Sequence, residues 1–196
     1  MIAVIILIIS YLIGSIPMAF VMGKIWLKID IRKYGSGNVG ATNAFRVMGP
    51  KIGTVVLIAD ILKGVIAVLL AGTAGGSYLI VLAGLIVILG HTFSIFLGFK
   101  GGKGVATGAG TFVAIAPQVI FWSALIFVLM IVITKYVSVG SIAGAASLPI
   151  LLIISGQPWQ FVIYGLLAAA FVIYKHRANI ERLRNGVEPK ISERFR

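Results

Sequence analysis

Long apolar runs separated by short polar stretches dominate this chain, at lengths that suit helices crossing a bilayer rather than the period-two alternation of half-buried strands. Taking about 20 apolar residues per crossing, the runs at 2–21, 52–71, 78–97, 105–116, 118–134, 137–155 and 159–174 predict seven transmembrane helices. The first run lacks the basic leader and small-residue cleavage site of a secretory signal and reads as a retained helix. The segment 105–135 would be about 46 Å long as a single helix, against a hydrocarbon core of about 30 Å. Pro117 breaks it, giving two short crossings or a re-entrant hairpin, and either returns the chain to the side it left.

With that break, the basic stretches 24–51 and 100–103, Lys135 and the tail 175–196 all fall on one side, while the connections 72–77, 116–118 and 155–158 carry no charge. The positive-inside rule then places the N-terminus outside and the C-terminus in the cytoplasm. The expectation is an all-α integral membrane protein, one membrane domain over 1–196, with a cytoplasmic face built from loops 24–51 and 98–104 and the tail 175–196. The tail reads as a short surface helix, a turn at Gly186 and a frayed end.

Composition agrees with the pattern: 60% of residues are hydrophobic and 11% charged, too little charge to cover a soluble domain of this size. Seventeen Lys and Arg against five Asp and Glu give +12. In a membrane chain that excess reflects cytoplasmic loops and anionic headgroups, so nucleic acid is not expected as a partner. Cysteine is absent, which excludes disulfides and thiolate chemistry, and two histidines cannot build a His-rich metal site. No metal or cofactor is expected, and no obligate protein partner is inferred. No internal repeat is evident.

Polar chemistry collects at the predicted cytoplasmic ends. The run Gly35 to Arg46 carries Ser36, Asn38, Thr42 and Asn43 among glycines. It spells G-x-G-x-x-G, but no strand precedes it, so a dinucleotide fold is not implied. Backbone amides beside hydroxyls, amides and an arginine suit an anion better than they suit a plain linker. A second stretch, Gly98 to Gly104, holds Gly101, Gly102, Lys103 and Gly104. It lacks the first glycine of a P-loop, replaced by Leu97, and its magnesium-binding hydroxyl, replaced by Gly104. Opening a helix, it still forms an oxyanion cradle. His91, a turn or two below, is either a satisfied interior histidine or a general base. Asp60 and Lys63 lie on one face of an apolar helix and read first as a structural ion pair, with direct substrate contact the second reading. Gly140 and Gly144, spaced for helix packing, stand beside Ser141. On a continuing helix, His176, Asn179 and Leu183 share one face at the last exit, with Arg177 and Arg182 toward headgroups.

Three stretches in order, Gly-Ser-Gly-Asn-Val-Gly-Ala-Thr-Asn at 35–43, Gly-Phe-Lys-Gly-Gly-Lys-Gly-Val-Ala-Thr at 98–107 and His-Arg-x-Asn-Ile-x-Arg-Leu at 176–183, resemble the bacterial acyl-phosphate:glycerol-3-phosphate acyltransferases, the PlsY family. The likeness spans almost the whole chain. It implies transfer of a fatty acyl group from acyl phosphate to the 1-hydroxyl of sn-glycerol 3-phosphate, giving 1-acylglycerol 3-phosphate and phosphate at the bacterial cytoplasmic (inner) membrane, the first acylation of phospholipid synthesis. The resemblance assigns Ser36, Arg46, Lys103, Ser141, His176 and Asn179 to glycerol 3-phosphate. It assigns Asn38, Thr42, Asn43, Gly101, Gly102 and Gly104 to acyl phosphate. His91 is one candidate base and a phosphate oxygen of a bound substrate the other. Glu181 stands near the position of the carboxylate of His-x-x-x-x-Asp acyltransferases, but the family does not use that motif. Membrane lipids complete the expected partners. The competing reading is a transporter or exchanger for phosphate or a phosphorylated metabolite, and a scaffold in which the glycines only pack comes third.

Overall fold

The computed structural model describes residues 1–192, and all of the regular structure among them is helical. The helices are α1 Ile2–Ser15, α2 Met18–Trp26, α3 Ala41–Gly72, α4 Ser77–Thr92, α5 Val105–Ile115, α6 Pro117–Thr134, α7 Val137–Ile154, α8 Trp159–Lys175 and α9 Arg177–Arg184. Among the described residues they gather into two compact units, 1–114 and 115–192.

Four segments, α3, α4 with the turn that follows it to Leu97, α6 and α7, are long and apolar enough to cross a membrane, and the number rises to six when α1 with α2 and α8 with α9 are each counted as one bent crossing. The expected first span is therefore broken. Pro17 has no N–H to donate and holds Ile16 in an extended conformation, and the two halves bend by 44°. The break at Pro117 is present, with the proline in the first turn of α6. It leaves α5 only 11 residues, about 16 Å, roughly half the hydrocarbon thickness. The third candidate span runs from Ser77 to Leu97 as expected, with α4 ending at Thr92 and a single 3-10 turn at Ile95–Leu97 completing it.

In the first unit, α1 lies against α4 at backbone distance. A methyl on Gly14 would overlap the Val87 carbonyl, and one on Gly90 the Tyr11 carbonyl. The contact is pinned by Tyr11 Oη donating to the Phe93 carbonyl at 2.7 Å and by Ser15 Oγ donating to that of Gly90 at 3.3 Å. The α3 to α5 contact is built the same way, through Gly64 and Gly110. Helix α3 is two helices in sequence, because Gly49 (φ 81°) interrupts its dihedrals just before Pro50. The short leading piece, 41–48, folds Phe45 onto Gly53, which has no side chain to obstruct it. Under the polar loop an apolar cluster of Ala19, Ile31, Val39, Ala44, Met48, Val56 and Leu97 anchors α2, the loop and both ends of the site to one core.

In the second unit, Gly140 and Gly144 of α7 take the close approach of α6 at Phe127 and Ile131, and Ser123 Oγ donates to the Gly144 carbonyl at 2.8 Å. Gly165 of α8 does the same for Pro149 and Leu152. The continuing helix expected at the last exit is not continuous: α8 and α9 meet at His176 with a 53° bend.

Candidate functional site

The first polar loop is shaped by Asn43. This side chain, 1% exposed, accepts from Ser36 N through Oδ1 at 2.9 Å and donates through Nδ2 to the carbonyls of Asn38 at 2.9 Å and Tyr34 at 3.1 Å. Its amide is thus committed to holding the loop closed. Asn38 Oδ1 accepts from Gly40 N at 2.9 Å and so turns the chain into α3. Gly35 and Gly37 both take positive φ, 59° and 69°, the left-handed region that a glycine enters without strain. Arg32 is occupied elsewhere: it grips both oxygens of Asp30, at 2.9 and 2.7 Å, and lies 4.9 Å over the Phe20 ring. The side-chain hydrogen bonds from Arg32 outweigh the desolvation of Asp30 and hold its carboxyl at about 2. What the loop presents outward is Ser36 and Thr42, both exposed, and half-buried Arg46.

The second polar stretch folds back over the end of α4. Gly101 N donates to the Thr92 carbonyl at 2.9 Å and Gly102 N to that of His91 at 3.0 Å. These glycines are required by contact: a methyl on Gly101 would meet the carbonyls of His91 and Thr92, and one on Gly102 would overlap the His91 ring. Their amides are therefore engaged. The amides that remain to face an anion belong to the first turn of α5, where helical geometry leaves N–H groups without intrahelical partners. Leu97, in the 3-10 turn before this stretch, belongs to the apolar cluster under the first loop, so both polar stretches are rooted in one core.

His91 sits beneath that turn, 8% exposed. Its Nε2 is pressed against Gly102, and its Nδ1 lies 3.7 Å from Asp60 Oδ1. Asp60 is bound to Lys63 at 2.6 Å, and Lys63 Nζ also donates to the carbonyl of Ile16. That carbonyl is at the α1–α2 break, where Pro17 supplies no helical continuation. The ion pair thus satisfies a backbone group that the break leaves over.

In the second unit, Ser141 Oγ donates to the Val137 carbonyl of its own helix at 2.9 Å and is 5% exposed. His176 is 3% exposed, with Nδ1 2.7 Å from the Val172 carbonyl. Asn179 Nδ2 donates at 2.7 Å to Glu188, whose other oxygen accepts from Arg182 Nε at 2.8 Å. Sequence reasoning passed over Glu188. Its only signal is an isolated acid two residues after Gly186 in a basic tail. The chain reaches it by a tight helix end, with Gly186 N donating to Leu183 O and Val187 N to Arg182 O around a left-handed glycine (φ 69°). Ile191 N then donates to the Lys135 carbonyl at 2.9 Å. Burial raises the Glu188 pKa, but hydrogen bonds from Asn179 and Arg182 and the Arg182 charge outweigh it, leaving the pKa below the ordinary glutamate range. The tail is thus fastened through 191 instead of frayed, and the rest of the expected frayed end, 193–196, lies outside the described residues.

Comparison with known proteins bears on all of these stretches together. Residues 4–186 match the family model for glycerol-3-phosphate acyltransferase. The chain is 51% identical over 188 residues to glycerol-3-phosphate acyltransferase 2 of Moorella thermoacetica, covering 96% of this chain and 97% of that one. It is 45% identical to the glycerol-3-phosphate acyltransferase of Syntrophomonas wolfei, with 96% of each covered. Among solved structures, it resembles a crystal structure of PlsY, an integral membrane glycerol 3-phosphate acyltransferase, in the glycerol 3-phosphate form. The TM-score is 0.91 at 40% identity, over 96% of this chain and 94% of that one. The lysophosphatidic acid form gives 0.90 at 39%.

Proposed function

The chain belongs to the glycerol-3-phosphate acyltransferase family, and on that premise we propose that it transfers a fatty acyl group from acyl phosphate to the 1-hydroxyl of sn-glycerol 3-phosphate. The observation that carries the reading is the pair of glycine-bearing polar turns, 35–46 and 98–104, at helix ends over one apolar core. Two phosphates must be held, one on each substrate, while the acyl chain stays in lipid. Helix-terminal amides, Arg46 and Lys103 provide positive potential for both.

In the step itself, the 1-hydroxyl oxygen forms a bond to the carbonyl carbon, the carbon–oxygen bond to phosphate breaks, and the hydroxyl proton passes to a phosphate oxygen. Acyl phosphate is a mixed anhydride with a good leaving group, so orientation and electrostatics supply much of the rate. We assign the proton to a substrate phosphate oxygen and not to His91, because both ring nitrogens of His91 face protein groups beneath the turn. Ser36, Arg46 and Lys103, with Ser141, His176 and Asn179, are assigned to glycerol 3-phosphate. Gly101, Gly102, Gly104, Asn38 and Thr42 are assigned to acyl phosphate. Asn43, placed with them by the family resemblance, serves as the staple that shapes the loop.

We place the chain in the bacterial inner membrane as one working domain, with seven crossings, the N-terminus outside and the C-terminus in the cytoplasm. The charge distribution supports this. Phosphate release by the purified protein in detergent, with each substrate omitted in turn, tests the activity. Release that needs both substrates and yields 1-acylglycerol 3-phosphate is expected. No release by folded protein, with uptake of glycerol phosphate into vesicles, would replace the enzyme by a transporter. Arg46→Ala is expected to raise the KM for glycerol 3-phosphate.

A further inference from the structure

A hydroxyl inside an apolar helix ordinarily gives its hydrogen bond back to a carbonyl about one turn earlier. Ser10, Thr134 and Ser141 do so here, to Ile6, Met130 and Val137, and Thr111 and Ser147 reach three residues back to Gly108 and Gly144. Thr92 departs from this habit. It ends α4, is 1% exposed, and its Oγ1 has no hydrogen-bond partner. In such surroundings no bulk water is at hand to satisfy an unpaired polar group.

The position in front of it is Gly104. A Cβ built there would stand 3.5 Å from Thr92 Oγ1 and 2.8 Å from Ile88 Cγ2. Gly104 also takes φ +80°, and it immediately precedes α5. The hydroxyl thus faces a stretch of bare backbone where the helix that would hold the donor phosphate begins. The neighbouring amides of Gly101 and Gly102 already donate to the carbonyls of Thr92 and His91, so neither is left to meet the carbonyl of an acyl group seated there.

We propose that the Thr92 hydroxyl is a hydrogen-bond donor to bound acyl phosphate, reaching its carbonyl oxygen past side-chain-free Gly104 when the donor seats in the Gly101–Gly104 turn. The carbonyl oxygen gains negative charge as the glycerol oxygen bonds to the carbon and loses it as phosphate departs, so a donor there favours the transition state over the bound substrate. This inference rests on acyl phosphate being the acyl donor.

The test uses the full-length protein in detergent, as wild type, Thr92→Val and Thr92→Ser, with steady-state phosphate release and thermal unfolding measured on each. Valine matches threonine in shape without the hydroxyl. Removing an unpaired hydroxyl keeps or raises the Tm, while kcat/KM for acyl phosphate falls on the order of tenfold or more. The KM for glycerol 3-phosphate stays put, and serine restores most of the loss. Wild-type kcat/KM in the valine variant overturns the proposal. So does a lowered Tm, which would mean that the hydroxyl holds the fold together, and so does a loss that serine fails to repair. A wild-type enzyme that ignores acyl phosphate but accepts another acyl donor overturns the donor assignment itself, before any variant is compared.

Discussion

Two glycines two residues apart on α5 respond oppositely to the same substitution. At Gly110, an added methyl would overlap the Ile61 carbonyl oxygen and stand 2.8 Å from its carbon. Ordinary carbon–carbon contact is about 3.5 Å, so α5 must withdraw from α3 by roughly 0.7 Å or more. Nothing at the contact is a side-chain end that can swing aside, because the obstructing atoms are backbone. At Gly108, the methyl would meet Ile88 Cδ1 at 3.4 Å and Cγ1 at 3.9 Å, an ordinary contact with a flexible side chain. Overpacking costs about 1–3 kcal/mol, partly offset at Gly110 by the roughly 0.5–1 kcal/mol that alanine gains over glycine in a helix. Gly110→Ala should therefore lose about 1–2 kcal/mol net, a Tm drop of roughly 2–8 °C for a chain this size. Gly108→Ala should hold or gain about 0.5–1 kcal/mol. Activity follows, because α5 carries the Gly101–Gly104 turn at its start, and its displacement should raise the KM for acyl phosphate in the Gly110 variant alone. Thermal unfolding in detergent with steady-state kinetics on both variants is the assay. Equal Tm values, or a larger loss at Gly108, would refute the reasoning.

Three other outcomes are expected. His91→Gln should retain turnover within about tenfold, since a positioning side chain is less critical than a general base worth roughly 10²–10⁴; a loss beyond a hundredfold would make His91 the base. Asn43→Ala removes the bonds that close the 31–43 loop and should lower the Tm and raise the KM for glycerol 3-phosphate on the order of tenfold, and kinetics matching wild type would return Asn43 to a role outside the loop's architecture. Because the Glu188 pKa is held below its ordinary value, the tail fastening is complete at neutral pH and is lost as pH falls below about 4.3 and through that lowered value. Hydrogen exchange at Ile191 N should show protection at pH 7 and its loss in acid, and a tail equally protected at both would remove Glu188 as the clasp.

The helical spans were legible because hydropathy over twenty residues is a coarse signal that bilayer thickness enforces. Pro17 and Pro117 were equally visible, yet only the second was read as a break, since the run around Pro17 had the length of one crossing. The clusters of Ser36, Arg46, Lys103 and their neighbours were legible as polar groups where apolar ones were expected. What each does was less so. Asn43 differs from a ligand-binding amide only in where its hydrogen bonds go, and composition does not record that. The glycines of 98–104 announced a close approach, but not that His91 itself fills the space beside Gly102. Gly14, Gly64 and Gly110 are unremarked in sequence because helix contact requires a partner face, and only folding names it.

The ion pair on α3 also bears on how this protein is made. A helix presenting Asp and Lys near its middle enters a bilayer at a penalty of about 2.5–3.5 kcal/mol for each charge. Here the two stand three residues apart on the same segment and bind at 2.6 Å, so their neutralisation needs no group from a neighbouring helix. The segment can insert by itself during synthesis, and Lys63 can take up the Ile16 carbonyl afterwards as the first unit assembles. Separating the charges onto different helices would give the same folded chemistry and a harder birth.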